Sequence, residues 1–475
     1  MPRRYGPVHV VTTTRRYKGK VYETHLLRRS YREGGKVKNV TVGNISHLPR
    51  PIIEMVRKAL RGEVFVPLDQ AFEIVEDGSR LHGHVQAVMT AVERLGLPNL
   101  IASRPSRQRS LVVAMVVARI LKPQSKLATT RWWRDTTLPE LLGIEGADED
   151  DLYEAMDWLV KRQSRIEKKL AVRHLAQGDG LALFDLSSSY LEGKTCGLAA
   201  YGYNRDGKKG KLQINYGLMT NRQGIPISVQ VFEGNVADPK TLLPQVDKVR
   251  KRFGIKDFVV ASDRGMLTHK QIEALRDMEG MEWIGALRGE TIRKLVEGGP
   301  VQMGLWDERG LAEFEHPDYP GERLVMCRNP EVAAHRRNKR QALIDETSRR
   351  LEKIAERVGR RRLRGQDKIA LAVGRVIDKH KVAKYFVLEI GEESFSFRVD
   401  EEKVAQDAAL DGLYVVRTSV AAKRMDAEEV VRSYKQLSQV ERAFRSMKTV
   451  DLMVRPIWHR LEARVRAHVF LCMLS

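Results

Sequence analysis

Residues 181–193 read LALFDLSSSYLEG, and their apolar start, which stops at Asp185, does most to decide how this chain folds. Such a run is typical of a buried strand that reaches the edge of a sheet. A second apolar run, FVVA at 258–261, is followed closely by Asp263. A carboxylate at the end of a buried strand is costly to desolvate unless a cation lies beside it. Both aspartates therefore indicate a cation site; the alternative for each one alone is an aspartate of a turn or a helix cap.

The residues around these two runs alternate between strand and helix patterns. Apolar periodicity predicts helices at 239–253 and 268–278, and strands at 181–186, 212–220, 225–233, 257–261 and 283–286. Three strands joined by hairpins, followed by alternating helices and strands, predict a mixed sheet with helices on its faces. Functional side chains of such sheets lie at strand ends, which is where Asp185 and Asp263 fall.

A third acid, Glu441, lies in a strongly helical stretch, YKQLSQVERAFRSMK at 434–448. One face of a continuous helix here would extend over roughly 21 Å at about 1.5 Å per residue. The residues on that face are Tyr434, Leu437, Glu441, Arg445 and Lys448. Such a face can place Glu441 on a metal ion while Tyr434 and Lys448 contact a phosphate backbone. The alternative is an ordinary solvated face on which Glu441 and Arg445 form a helical ion pair.

Two aspartates and a glutamate match the preference of Mg²⁺ for oxygen ligands. We therefore expect two divalent cations, roughly 3.5 to 4 Å apart, that can activate a bound water or hydroxyl for attack. The three serines at 187–189 could be mistaken for nucleophiles. No histidine and acid stand at the spacing of a nucleophile elbow, so the serines are predicted to be strand or turn residues.

Composition indicates a partner of opposite charge. The 475-residue chain carries 83 Lys and Arg against 61 Asp and Glu, which gives a formal charge of +22. An excess of this size is typical of proteins that bind a polyanion such as a nucleic acid, and the alternative is a merely solvated basic surface. The length predicts about two to four domains.

The three cysteines, Cys196, Cys327 and Cys472, are far apart in the sequence. Their odd number and spacing argue for a reducing compartment, and against a disulfide framework or a zinc knuckle. No long apolar segment and no signal peptide is recognisable. The sequence therefore predicts a cytoplasmic, nucleoid-associated protein without a membrane partner.

The first part of the chain is basic. Alternating segments at 21–32 and 36–42 flank Gly34-Gly35 and predict a β-hairpin. The basic residues in this region are Arg15, Arg16, Lys18, Lys20, Arg28, Arg29, Arg32, Lys36 and Lys38. A basic hairpin suits an arm that contacts duplex DNA, and the alternative is a solvated sheet edge whose lysines discourage pairing. Helical periodicity between 52 and 175 predicts a helical region, to which we also assign DNA binding.

Four motifs together resemble the DDE transposases of bacterial insertion sequences, whose catalytic domain has the ribonuclease H fold. They are FDLSSSYLEG at 184–193, GNVADPKTL at 234–242, VASDRGM at 260–266, and the Tyr, Glu and Lys spaced by six residues at 434, 441 and 448. The similarity covers roughly 181–286 and 413–468. Where the family's signature often has an arginine three residues after the tyrosine, this chain has Leu437.

The resemblance implies that Asp185, Asp263 and Glu441 are the catalytic triad and bind two Mg²⁺ or Mn²⁺ ions. It also implies double-stranded DNA as partner, both transposon ends and target, with a homodimer assembled on it. The side chains implied as DNA contacts are Tyr434, Arg445, Lys448 and Arg264. The implied reaction cuts the ends of an insertion sequence and joins the 3′-hydroxyl to target DNA.

The spacing of the three acids predicts an insertion. Asp185 and Asp263 are 78 residues apart, whereas Asp263 and Glu441 are 178 apart, too far for one loop. Within that interval, Asn329-Pro330 begins a long basic helix predicted to reach Val358, and a hairpin follows at 385–399. The predicted fold is therefore an α/β, ribonuclease H-like sheet interrupted by an inserted α+β domain. The predicted regions are 1–68, 69–178, 179–287, 288–410 and 411–475.

Two other classes stay open at this point. One is a metal-dependent nuclease or resolvase that cuts without strand transfer. The other is a truncated, DNA-binding transposase derivative with weak or no catalysis, because the apolar helix at 463–475 (ARVRAHVFLCMLS) stops without a cap or polar tail and is expected to continue.

Overall fold

The computed structural model describes residues 5–65, 79–297 and 310–475, in two compact units that divide after Ser79. The predicted boundary between regions 1–68 and 69–178 lies outside the described residues. The division of the remaining chain into four regions stays a prediction. No helix among the described residues is long and apolar enough to cross a bilayer.

The first unit is a three-stranded antiparallel sheet with one helix. Its elements are β1 (Val8–Tyr17), β2 (Lys20–Glu33), β3 (Lys36–Asn44) and α1 (Arg50–Ala59). Gly34 and Gly35 join β2 to β3 with φ angles of 56° and 76°, values that a two-residue hairpin turn requires and that glycine adopts without strain. The predicted hairpin is confirmed. Of the nine basic residues named for this region, Arg28 is half-buried and the others are exposed.

The second unit is built on an eight-stranded mixed sheet with the order β6-β5-β4-β7-β8-β13-β10-β9. Its strands are β4 (Leu181–Tyr190), β5 (Gln213–Asn221), β6 (Pro226–Glu233), β7 (Phe258–Ser262), β8 (Met281–Ala286), β9 (Leu311–Phe314), β10 (Arg323–Arg328) and β13 (Leu413–Thr418). β4, β7 and β8 are parallel, and every other neighbouring pair is antiparallel. The predicted mixed sheet is confirmed, because the strands β4 to β8 lie where apolar runs predict them.

Helices cover this sheet. They are α2 (Gly83–Arg94), α3 (Leu97–Ile101), α4 (Arg107–Leu121), α5 (Lys126–Trp132), α6 (Leu138–Leu142), α7 (Glu149–Val160), α8 (Gln163–Ala171), α9 (Pro239–Asp247), α10 (His269–Arg276), α11 (Gly289–Glu297), α12 (Pro330–Gly359), α13 (Gln366–His380), α14 (Glu401–Ala409), α15 (Ala427–Lys435), α16 (Leu437–Arg445) and α17 (Glu462–Leu474). A further hairpin consists of β11 (Phe386–Ile390) and β12 (Phe395–Val399).

The described helices of the predicted helical region pack with the sheet and do not form a layer separate from it. α8 packs against β6, while α7 packs against both α4 and α17, so these helices share one apolar core with the sheet. α17 is buried along most of its length, which explains why its sequence is apolar on every side. A role of this region in DNA binding stays a prediction.

The residues between β8 and β13 contribute to two parts of the structure, a small separate core and the main sheet. α12, α13, β11 and β12 enclose a small apolar core of their own, in which Leu351 and Ile354 of α12 pack beside Val373 of α13. β9 and β10, however, belong to the main sheet, because β10 pairs with β13 along Arg323–Arg328. The inserted domain at 288–410 stays a prediction, and two strands of that stretch lie in the main sheet. An apolar strand such as β10 carries no local signal of which strand it pairs with.

Candidate active site

The register of the parallel pair β4 and β7 places Asp185 and Asp263 side by side. β4 pairs in parallel with β7, and the last pair is Phe184 with Ser262, whose Oγ donates a hydrogen bond to the Phe184 carbonyl at 2.9 Å. The next residues along the two strands are Asp185 and Asp263. Neighbouring strands lie about 4.8 Å apart, so the two carboxylates start from adjacent backbone positions.

The predicted end of β4 at residue 186 is wrong. The strand continues to Tyr190 because β5 pairs with it along its whole length, with Leu218 opposite Asp185. Asp185 thus lies where β7 stops rather than where its own strand stops. The serines that follow have structural partners, as predicted: Ser188 Oγ accepts from the Arg205 backbone N–H at 3.2 Å, and Ser189 bonds the Tyr216 hydroxyl at 3.1 Å.

Glu441 reaches the site on α16, but the single helix predicted over 434–448 is wrong. The helix breaks at Gln436, so Tyr434 lies on α15 and Lys448 in the turn after α16. The break has a packing cause, because α15 contacts β8, β10 and β13 while α16 contacts β4 and β5. Phe444, one turn after Glu441, fixes α16 by an edge-on contact with Tyr216 of β5 at 5.6 Å between ring centroids.

The three predicted acids line one cavity. Asp185, Asp263 and Glu441 all face a concavity of about 460 Å³. Of the predicted DNA contacts, Arg445 and Lys448 line the same cavity. Tyr434 and Arg264 line a neighbouring cavity of about 530 Å³, which Asp263 also reaches.

The side chains in this region affect one another electrostatically. Burial, together with the charges of Asp263 and Glu441, raises the pKa of Asp185 to about 6 against the opposing effects of the Leu186 N–H and Arg205. Burial, followed by Asp263, also raises the pKa of Tyr434 to about 12, so its phenol stays protonated at neutral pH. Asp263 and Glu441 are exposed, whereas Asp185 is half-buried.

This arrangement predicts an unusual pH dependence for the metal-free protein. The pKa of Asp185 is raised from 3.8 to about 6 on folding, so between these values the folded state binds more protons than the unfolded state. The free energy of unfolding must therefore fall as pH rises through that window. We expect Asp185→Asn to remove this fall and to stabilise the metal-free protein at neutral pH by on the order of 1 to 3 kcal/mol.

Thermal or denaturant unfolding from pH 3.5 to 7.5 in a chelator tests this expectation. Asp257→Asn is the matched control, since Asp257 is exposed and precedes the opposite end of β7. Identical pH profiles for Asp185→Asn and the wild type would contradict the burial of Asp185.

The donor set suits a hard divalent cation, because three carboxylates surround one cavity. Their present spacing is not that of ligands: among the described residues, no group of three His, Cys, Asp or Glu side chains is close enough together to hold a metal ion. The carboxylates would have to move closer together to share an ion, and the exposed side chains of Asp263 and Glu441 have room to change rotamer.

Lys448 differs most from its predicted role. Its ammonium lies 2.9 Å from Oδ1 of Asp206, a carboxylate with 1% of its side chain exposed, and Arg455 binds the same oxygen. Lys448 therefore already has an anionic partner. Arg445 and Arg264 are exposed.

Sequence reasoning missed four charged residues of the cavity: Arg205, Asp206, Asp238 and Arg455. Asp206 precedes Gly207 in a polar stretch, so by sequence it is an ordinary turn residue, and its partners lie more than 240 positions later. Arg205 pairs with Asp238 at 2.6 Å. Of these four residues, Asp238 alone had a signal in the sequence, because it lies within the motif GNVADPKTL.

Comparisons with known proteins identify the family of the chain. A sequence model described as the transposase DDE domain matches residues 180–475, more than half of the chain. The chain belongs to the DDE transposase family. The resemblance drawn from its motifs is thereby confirmed, and with it the ribonuclease H-like fold, which agrees with the strand order β6-β5-β4-β7-β8. DDE transposases generally use divalent metal ions.

A second sequence model, the N-terminal domain of IS1634 family transposases, matches residues 10–64 of this DDE transposase chain. Among solved structures, the cryo-EM structure of a piggyBac transposase synaptic complex with hairpin DNA is similar, with 9% identity and a TM-score of 0.36. The alignment covers 78% of this chain and 66% of that one, just under two-thirds. No curated protein matches the chain.

Proposed function

We propose that this protein is a DNA transposase that cuts insertion-sequence ends and joins the freed 3′-hydroxyl to target DNA. The observation that carries the proposal is the meeting of Asp185, Asp263 and Glu441 in one cavity, although each comes from a different part of the chain. Two adjacent strand positions and a helix packed across them supply the three acids. Family membership supports the same reaction class.

Asp185, Asp263 and Glu441 are the residues that would hold two Mg²⁺ or Mn²⁺ ions. Such ions supply the Lewis acidity that activates the attacking oxygen and stabilises the leaving 3′-oxygen of a phosphodiester. Burial, and after it the charges of Asp263 and Glu441, raise the pKa of Asp185, and bound cations would favour its charged form.

The surrounding side chains suit a DNA backbone. Tyr434, protonated at neutral pH, can donate a hydrogen bond to a phosphate oxygen, and the exposed guanidiniums of Arg264 and Arg445 can neutralise neighbouring phosphates. Lys448 acts with Arg455 as a pair held by Asp206. The basic N-terminal sheet would contact a further stretch of duplex, and the handling of two ends implies a homodimer on DNA.

The test is a cleavage and joining assay on supercoiled and end-containing DNA. We expect cutting with Mg²⁺ or Mn²⁺, none with a chelator, and joined products that carry the 3′ end. Binding should weaken with salt, with a slope of about 0.9 for each phosphate contact. Metal-dependent cutting without joined products would favour a nuclease, and an affinity independent of salt would overturn the nucleic-acid assignment.

A further inference from the structure

A second pocket, next to the candidate active site, is rich in buried positive charge. It has a volume of about 210 Å³ and lies between the end of α4, the start of α5, the segment before α17, and α17 itself. The cationic and imidazole side chains that line it are Arg119, Lys126, Arg455, His459 and His468, and the aromatic ring of Trp458 also lines it. We call it the Lys126 pocket.

The two cations at its base are buried without a counter-charge. Arg119 is 7% exposed and Lys126 is 4% exposed. None of the Asp and Glu side chains that the structure describes lines the pocket or forms an ion pair with either residue. The guanidinium of Arg119 reaches only two carbonyls, at 3.4 and 3.5 Å, which are long for hydrogen bonds.

Isolated buried charges are strongly unfavourable, and the pKa values of this cluster are lowered accordingly. Burial, followed by the charge of Arg119, lowers the pKa of Lys126 to about 7. Burial also lowers the pKa of His459 to about 3, and that of His468 falls well below its usual value. An anion in the pocket would favour the charged form of every one of these groups.

One buried ring nitrogen in the described part of the chain also has no partner. His468 Nε2 lies 3.0 Å from the Val454 carbonyl, whereas its Nδ1 is buried and has no hydrogen-bond partner among the described residues. Once protonated, Nδ1 can donate to an anion. The arginine fork, the lysine point charge and the imidazole together suit an oxyanion with several acceptor oxygens.

The position of the pocket identifies the source of that oxyanion. Arg455 lines both the Lys126 pocket and the cavity that contains Asp185, Asp263 and Glu441. A strand whose scissile phosphate occupied the cavity would continue past Arg455. Trp458, with 68% of its surface exposed at the rim, offers a ring for the attached nucleotide to contact.

We propose that the Lys126 pocket binds a backbone phosphate of the DNA strand that occupies the candidate active site. The proposal rests on the proposed function, and it adds a contact that the triad and its neighbours do not supply. It places part of the DNA contact on α4 and α5, inside the region for which the sequence predicted DNA binding.

Lys126→Met tests the proposal in the full chain, with Lys122→Met as the matched control. Lys122 is exposed on the same segment, four residues earlier. Removing an unpaired buried cation should not unfold the protein; Lys126→Gln is a second variant that keeps a polar end. The first measurement is the melting temperature with inorganic phosphate replacing chloride at constant ionic strength. The second is the salt dependence of binding to duplex DNA.

Phosphate stabilises folded proteins in general, so we expect the melting temperature of all three proteins to rise, but to rise less for Lys126→Met than for the wild type and Lys122→Met. The salt slope of DNA binding should fall by about 0.9 in Lys126→Met alone. Equal phosphate responses in all proteins, with unchanged slopes, would overturn the proposal. A smaller phosphate response in Lys126→Met with an unchanged slope would overturn the assignment to DNA. If DNA binding proved independent of salt, the proposed function would fail, while the phosphate measurement would still decide whether the pocket binds an oxyanion.

Discussion

Replacing Asp185, Asp263 or Glu441 by its amide is expected to lower the rate of DNA cleavage by at least about 10³-fold. Each amide keeps the shape of the side chain but removes the negative charge that would hold a divalent cation. The loss should be similar for all three, since they face one cavity from β4, the end of β7 and α16. Cleavage of end-containing DNA in Mg²⁺ and in Mn²⁺ gives the measurement.

DNA binding separates this effect from a general loss of structure. Removing an acid beside a phosphate backbone lowers repulsion, so the affinity of the three variants for DNA should be retained or increased. Asp257→Asn, at the far end of β7, should cut DNA at the wild-type rate. Full metal-dependent activity in any one of the three amide variants would remove that residue from the proposed triad.

The sequence prediction is most accurate for elements that the local residue pattern alone is enough to specify. β4 to β8 are short apolar runs bounded by turn residues, so period and length are enough to find them. The same holds for α12, whose start is set by the side chain of Asn329, which accepts from the Val332 N–H, and by Pro330. Adjacent placement of Asp185 and Asp263 then follows from parallel pairing alone.

Features set by long-range packing could not be predicted. The break at Gln436 has no proline or glycine to mark it, because it arises from the different strands that α15 and α16 pack against. The addition of β9 and β10 to the main sheet depends on pairing with β13, some 90 residues later in the chain. Neither property is encoded in the residues of the element itself.

Asp206 was not predicted as a site residue, and its replacement is expected to have the largest effect on stability. Its side chain is 1% exposed, and Lys448 and Arg455 both bind its Oδ1. Asp206→Asn would leave two largely enclosed cations without a counter-charge. Breaking a buried ion pair in this way destabilises a protein by about 3 to 5 kcal/mol. We expect a loss of that size in denaturant unfolding.

Asp238→Asn is the matched control for stability. Asp238 lines the same cavity and pairs with Arg205, but its side chain is 44% exposed, so the change should cost less than about 1 kcal/mol. A double variant, Asp206→Asn with Lys448→Met, should recover part of the lost stability, because only one cation then lacks its partner.

Activity distinguishes a positioning role for Asp206 from a purely structural one. At a temperature where Asp206→Asn is fully folded, its cleavage rate should still fall by at least about 10-fold, since Lys448 and Arg455 are no longer held at the cavity wall. The double variant should regain stability without regaining activity. If stability and cleavage rate instead recovered together, Asp206 would serve the fold alone, and Lys448 would have no part in holding the DNA.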